Sequence, residues 1–266
     1  VSDSDDHEFQ TRLAGLGASL NGRSIGDEYL KLHRRRSFLK RGALIAGVGL
    51  SSTLGVEMIQ PAHADVMTAA GETRTVSFAQ TELLVGPLTA LNLRDDASQP
   101  SIELLSGRVL GSCPPDASPP LLRITGRFGA VLSARQSFCL HLSRKEFTAA
   151  SPDNACFTAR SGRTYVLAAG TELQMTGEKI VMAPKSWGAS SAWKNGFLVC
   201  QDAPLGRLLD NLSAYWSGYI YASNEIRARR VSGSFSVSNP MQTLLEIGSI
   251  YNVVVRQYPF GVVYLS

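Results

Sequence analysis

Histidine is scarce in this chain: there are four in 266 residues, and His7, His33 and His63 all fall ahead of residue 65. A body left with His141 alone cannot assemble a multi-histidine metal site. A Ser-His-Asp arrangement could be built only through that one imidazole, and no nucleophile or orienting acid is suggested beside it. The four cysteines contain no Cys-x-x-Cys pair, so neither thioredoxin-like exchange nor a zinc ribbon has support. No Gly-rich loop sits in a strand–turn–helix setting, which removes the phosphate-binding motifs. No apolar run reaches the roughly 20 residues that a membrane-spanning helix wants. Charge is low, at 18% of residues, and the formal net charge of +4 is too mild to imply nucleic acid. These absences point to a non-enzyme with no cofactor and no metal. What the chain does have is 44% hydrophobic residues, enough to build cores in one large domain or about two to three small ones.

The strongest local signal is Arg34-Arg35-Arg36-Ser37-Phe38-Leu39-Lys40-Arg41. An apolar run from Gly42 to Val56 follows, then Pro61-Ala62-His63-Ala64. A basic segment, a short apolar core and an A-x-A end are the layout of an export signal. Arg35 and Arg36 followed by Phe38, Leu39 and Lys40 resemble the twin-arginine (Tat) signature, which implies export across a bacterial inner membrane after folding. The basic cluster before the run, with none after it, places the N-terminus in the cytoplasm. Two outcomes are open. Cleavage after Ala64 releases a soluble periplasmic protein of residues 65–266; retention leaves a single-pass inner-membrane anchor with a periplasmic C-terminus. Ahead of the leader, residues 1–33 form a short tail in which Phe9, Leu13, Leu16 and Leu20 recur at helical spacing.

All four cysteines, Cys113, Cys139, Cys156 and Cys200, lie downstream of Ala64, where an oxidising periplasm permits disulfides. Cys139 sits beside Phe138 and Cys156 beside Phe157. If those two segments are paired strands, both thiols point away from the Phe-bearing face, which makes Cys139–Cys156 the candidate cross-strand bridge. Cys200, next to Val199, reads as a buried apolar thiol.

The body reads as two modules, mainly β and then α+β. Between residues 65 and 182 the chain runs in short alternating stretches such as Thr75–Phe78, Ser101–Leu105, Leu121–Ile124, Thr164–Leu167 and Lys179–Met182. Ser106-Gly107, Ser161-Gly162 and Thr176-Gly177 look like turns between them, the mark of an all-β sandwich or rolled sheet. Residues 183–191, with Pro184, Gly188 and several serines, read as a linker. From 192 to 266 the periodicity alternates between strand and helix in the order β-α-β-β-α-β-β. Leu205, Leu208, Leu209 and Leu212 lie on one helix face, and Asn239-Pro240 supplies a cap and first turn for a second helix.

The run Ala192-Trp193-Lys194-Asn195-Gly196-Phe197-Leu198-Val199, then Ala203-Pro204-Leu205, Leu208, Leu212 and Tyr215, resembles the periplasmic part of FecR-type sigma-factor regulators. The likeness extends through Arg230-Val231-Ser232-Gly233-Ser234-Phe235. In the β module it takes in Thr68–Val76, Leu104–Val109 and Val166–Gly170, so that residues 35–266 are covered, twin arginines included. This resemblance implies a FecR-like β module followed by a module similar to the signalling domains of TonB-dependent transporters and secretins. It implies that residues 192–266 meet the signalling domain of an outer-membrane TonB-dependent transporter in iron-siderophore uptake. It implies, further, that the state of the transporter is relayed to an extracytoplasmic-function sigma factor. The chain departs from the family in two places. Residues 1–33 are about half the length of the family's anti-sigma domain and lack its tryptophans, as a truncated anti-sigma region would. Leu132–Phe138 stands where some members carry a self-cleaving Gly-Thr pair.

Several side chains are candidates for a partner surface. Tyr219 and Tyr221 share one side of a strand, and Arg227, Arg229 and Arg230 crowd a basic loop suited to an acidic partner; a solvated turn is the competing reading of that loop. Trp187, Trp193 and Trp216 are either interface anchors or plain packing. His141 alternates with core residues and reads as an outward-facing surface side chain.

Overall fold

The computed structural model describes residues 64–266 except 96–98, 113–121 and 134–136. The candidate export residues Arg35, Arg36, Phe38, Leu39 and Lys40, together with Ala62 and Cys113, lie outside the described residues. The chain forms two compact units. The first holds the described residues up to Gln201 with 232–238, and the second holds Asp202–Val231 and Asn239–Ser266.

Alternating residues in the first unit form the strands β1 (Val66–Met67), β2 (Arg74–Phe78), β3 (Thr81–Val85), β4 (Ala90–Arg94) and β5 (Ser101–Ser112). They continue as β6 (Leu122–Gly126), β7 (Gly129–Ser133), β8 (Phe138–Leu142), β9 (Phe147–Ala150) and β10 (Ala155–Ala159). The series closes with β11 (Thr164–Leu167), β12 (Thr171–Thr176) and β13 (Lys179–Pro184). Pairing is antiparallel throughout except between β5 and β6, which run parallel. The mainly β architecture read from the alternation is therefore the observed one.

Ser106-Gly107 reads as a turn but lies inside the 12-residue strand β5. The first half of β5 pairs with β4 and β6, and the second half with β3 and β8. One strand thus belongs to both layers of a sandwich. Leu104, Ile124 and Phe157 from one layer and Val109, Leu140 and Leu173 from the other meet in a single buried apolar cluster. Burying such side chains is worth roughly 1.5–3 kcal/mol each. The layer change is made at Gly107, whose φ is +87°. A Cβ there would lie 2.2 Å from Thr89 Oγ1 and 2.4 Å from Thr89 Cα. Glycine is required because the backbone of β4's flank comes this close, and the Thr89 hydroxyl uses the proximity to accept from Arg108 N at 2.9 Å.

Residues 183–191 are not a linker. β13 runs to Pro184, and helix α1 (Trp187–Ser191) follows, with the Ser186 hydroxyl capping it by accepting from Ala189 N at 3.2 Å. A 3-10 turn over Ala192–Asn195 ends at Gly196, in the left-handed region at φ 82°. The composition of this stretch is that of a loop, and contacts with distant strands impose its structure.

Beyond it, β14 (Phe197–Pro204) and β16 (Arg230–Ser236) pair as a two-stranded ribbon. In the second unit α2 (Leu205–Leu212) buries Leu205, Leu208, Leu209 and Leu212 on one face. α4 (Pro240–Tyr251) is capped by Asn239, which accepts from Gln242 N at 3.2 Å. β15 (Tyr219–Ala222) runs parallel to β18 (Val262–Leu265), and β17 (Val255–Tyr258) antiparallel to it. In this unit one helix was not legible from periodicity: α3 (Asn224–Ala228), started by Ser223, whose hydroxyl accepts from Ile226 N at 3.3 Å. Five residues are too few to show a 3.6-residue period. The element order is therefore β-α-β-α-β-α-β-β.

The kink in β5 makes a paired prediction. Gly107→Ala adds strain at positive φ to a clash with backbone, and is expected to cost about 2–4 kcal/mol. Gly162→Ala, also at positive φ but with nothing within 4 Å of the new Cβ, should cost only about 1 kcal/mol. Urea midpoints at unchanged slope measure both; equal losses would mean that the closeness of Thr89 is immaterial.

Candidate functional site

Side chains that point away from the sandwich core form rows across β5, β8, β9 and β12. Arg108, His141, Thr148 and Gln174 are aligned in one row, and Leu110, Cys139, Ala150 and Glu172 in the next. Such a face would ordinarily meet water, yet Arg108, Cys139 and Glu172 are all buried. The cover is the segment from Lys185 to Trp193. Trp193 Nε1 donates to Cys139 Sγ at 3.3 Å, and the Cys139 thiol donates to the Ser190 carbonyl at 3.2 Å. The Arg108 guanidinium lies 5.7 Å from the centre of the Trp193 ring, a cation–π distance. One Glu172 oxygen accepts from Lys185 Nζ at 2.6 Å and from Ser190 Oγ at 3.3 Å, while the other accepts from Gln174 Nε2 at 3.1 Å. Gly86 leaves the room: a Cβ there would lie 2.3 Å from Arg108 Cγ and 3.1 Å from Trp193 Cζ3. Trp193, which the sequence assigns to the C-terminal module, is thus built into the sandwich unit.

This arrangement also settles the cysteines. Cys139 lies on β8 and Cys156 on β10, which are not neighbouring strands. Both thiols do point away from the phenylalanines beside them, but Phe138 and Phe157 face the same core from opposite layers. The thiols therefore sit on opposite outer faces, and the Cys139–Cys156 bridge does not form: both are free thiols. Cys200 is half-buried rather than fully enclosed. Burial pushes the Cys139 thiol above its ordinary pKa, with the Trp193 hydrogen bond opposing. His141 is half-buried on the outward row.

In the second unit Tyr219 and Tyr221 share a face of β15, with ring centres 6.1 Å apart and planes nearly parallel. Burial, and then Tyr219, raise the pKa of the Tyr221 phenol. The three arginines meet carboxylates and carbonyls of their own unit. Arg227, on α3 rather than in a loop, places one nitrogen 2.7 Å from both oxygens of Asp210. Arg229 donates to the Tyr251 carbonyl at 2.9 Å, at the end of α4, where a cation complements the helix dipole. Arg230 forms a two-pronged pair with Asp202 at 3.0 and 2.8 Å. Trp216 Nε1 donates to the Gly261 carbonyl at 2.7 Å, which gives that indole a structural job. None of these intrachain partners could be read from the sequence, since they lie 17 to 45 positions away.

A cleft of about 420 Å³ opens over β5–β7, lined by Glu103, Thr125, Arg127 and Arg160 among others. Among the described residues no three His, Cys, Asp or Glu side chains gather as metal ligands, and no helix is long and apolar enough to cross a membrane.

No family model and no curated protein matches the chain. Two crystal structures of a candidate anti-sigma factor from Parabacteroides distasonis ATCC 8503, at 2.50 and 1.65 Å, share its fold. Their TM-scores are 0.67 and 0.68 at 12% identity. The match covers 75% and 76% of this chain and 96% and 97% of theirs.

Two measurements follow from this geometry. The hydrogen bond from Arg230, reinforced by its charge, holds the Asp202 carboxyl below its ordinary value of 3.8. A carboxylate lowered in the folded state stabilises fully above pH 3.8, and the effect is lost as pH falls through the folded value. Carbon-detected NMR titration should find Asp202 below the carboxylate range, moving up to it in Arg230→Gln. In native protein at neutral pH, a maleimide should label exposed Cys156 at least ~10-fold faster than buried Cys139. Equal protection of both thiols, reversed by a reductant, would instead reveal a bridge.

Proposed function

We propose that this chain is a FecR-like cell-surface signalling regulator, working by protein–protein contact to control an extracytoplasmic-function sigma factor. The observation that carries this reading is the fold shared with a candidate anti-sigma factor along almost the whole of that protein's length. The twin-arginine segment and the ordered run of FecR-like motifs from Thr68 to Phe235 support it independently. In this reading the C-terminal residues meet the signalling domain of an outer-membrane TonB-dependent transporter in iron-siderophore uptake. The β module passes that state toward an inner-membrane segment at residues 34–64, and the chain carries its C-terminus in the periplasm.

The physical means is contact through sheet edges and faces. β13 ends the sheet path and leaves Val181 42% and Met182 39% exposed, an edge of the kind that accepts a partner strand.

The test is fractionation of cells making the chain with a C-terminal tag, beside Arg35→Lys, Arg36→Lys. The N-terminus of the exported product is sequenced. An intact membrane-bound product, lost or mislocalised in the variant, is the expected result. A soluble product beginning at Asp65 in unstimulated cells would remove the relay and leave a cleaved periplasmic binding module with no sigma-factor role.

A further inference from the structure

We propose that Lys185–Trp193 is a detachable strap, a segment that leaves the outer face of the β5–β8–β9–β12 sheet while the sandwich beneath stays folded. The proposal concerns this chain by itself and stands whether or not the chain regulates a sigma factor.

Three observations carry it. The first is where the core lies. The apolar cluster that holds the two layers together is made by strands and includes no strap residue, so the sandwich does not depend on the strap for its interior. The second is what fastens the strap. Lys185 and Ser190 meet Glu172, Ser190 and Trp193 meet Cys139, and Trp193 meets Arg108. Apart from burial of the Trp193 ring, these contacts are polar and can be exchanged for water at small net cost, unlike the apolar burial between the layers. Trp193, 5% exposed, is the strap's buried aromatic anchor. The third is where the sheet ladder stops. The β12–β13 pairing ends at Thr171↔Pro184, and Lys185 N adds one link to the Gly170 carbonyl at 2.9 Å. Past that point Ala189 N and Ser190 N bond to the Ser186 carbonyl, within the strap's own turn. A segment with its own internal turn and polar side-chain fastenings opens as a local unit.

Release has a geometric consequence. The strap joins β13 to β14, the strand that leads on to Asp202. Unwound and extended, it reaches roughly 30 Å, so its docking sets how much free chain precedes β14. It also bares Cys139, which makes the opening measurable.

The experiment uses the full chain with Cys113, Cys156 and Cys200 replaced by serine, so that Cys139 is the one thiol. Its modification by an aromatic disulfide reagent is followed over rising urea, with global unfolding followed by far-UV circular dichroism. Below the unfolding transition, labelling should exceed the rate that global unfolding allows by ~10-fold or more, and should be nearly independent of urea. Lys185→Met, which removes a partly exposed fastening, should speed labelling a further ~5-fold or more with the circular dichroism midpoint almost unmoved. Trp193→Phe, which keeps an aromatic ring but loses the N–H donor, should do the same. The labelled protein should retain its β spectrum. Labelling that tracks global unfolding with the same urea dependence, in parent and variants alike, would overturn the proposal.

Discussion

The change of layer within β5 governs how the first unit is put together. Antiparallel pairing with β4 and parallel pairing with β6 fix the register of one layer, and antiparallel pairing with β3 and β8 fixes the other. Side chains along a strand alternate with period two, so a slip of one residue at the kink would turn a whole layer inside out. Thr89 opposes such a slip from the side, its hydroxyl held against the backbone of Arg108 immediately after Gly107. From that point Val109 faces in and Arg108 faces out, and the outward rows that receive the strap follow from it.

Those outward rows explain why charged groups are buried on a sheet that already has a complete core. Glu172 and Arg108 are 4% and 6% exposed, and burying charge is costly unless the partners are in place. Here Lys185, Ser190 and Gln174 surround the carboxylate, and the Trp193 ring faces the guanidinium. Such a set contributes little net attraction but a sharp definition of position, because each contact is directional and is made to a particular buried atom. The fastening of the strap is therefore selective more than strong.

How much of this was legible from the sequence depended on distance along the chain. Alternation revealed the strands, and the leucine spacing of α2 and the Asn239 cap of α4 are local signals that the structure reproduces. The Ser-Gly pair at 106–107 signalled a backbone departure correctly but not its kind, since a turn and a kink between layers both call for positive φ. Ser223 was the available sign of α3. Residues 183–191 and Trp193 were beyond local reading, because their partners on β8 lie 51 and 54 positions earlier. The Cys139–Cys156 expectation failed at the same point: the outward direction of both thiols was readable, but which layer each strand joined was not. Likewise the basic residues around Arg227 were visible as a cluster, whereas Asp210 and Asp202, which answer them, were not.

The free thiols of the sandwich bear on the order of events in the cell. A domain closed by a bridge between its layers would need an oxidant before it could finish folding. This one closes by interdigitated Leu, Val and Phe side chains, with Cys139 used as a hydrogen-bonding group under a tryptophan. Cys139 and Cys156 form no bridge, so among the described residues the joining of the two layers needs no oxidant. A β sandwich closed in this way can finish folding in a reducing compartment as readily as in an oxidising one.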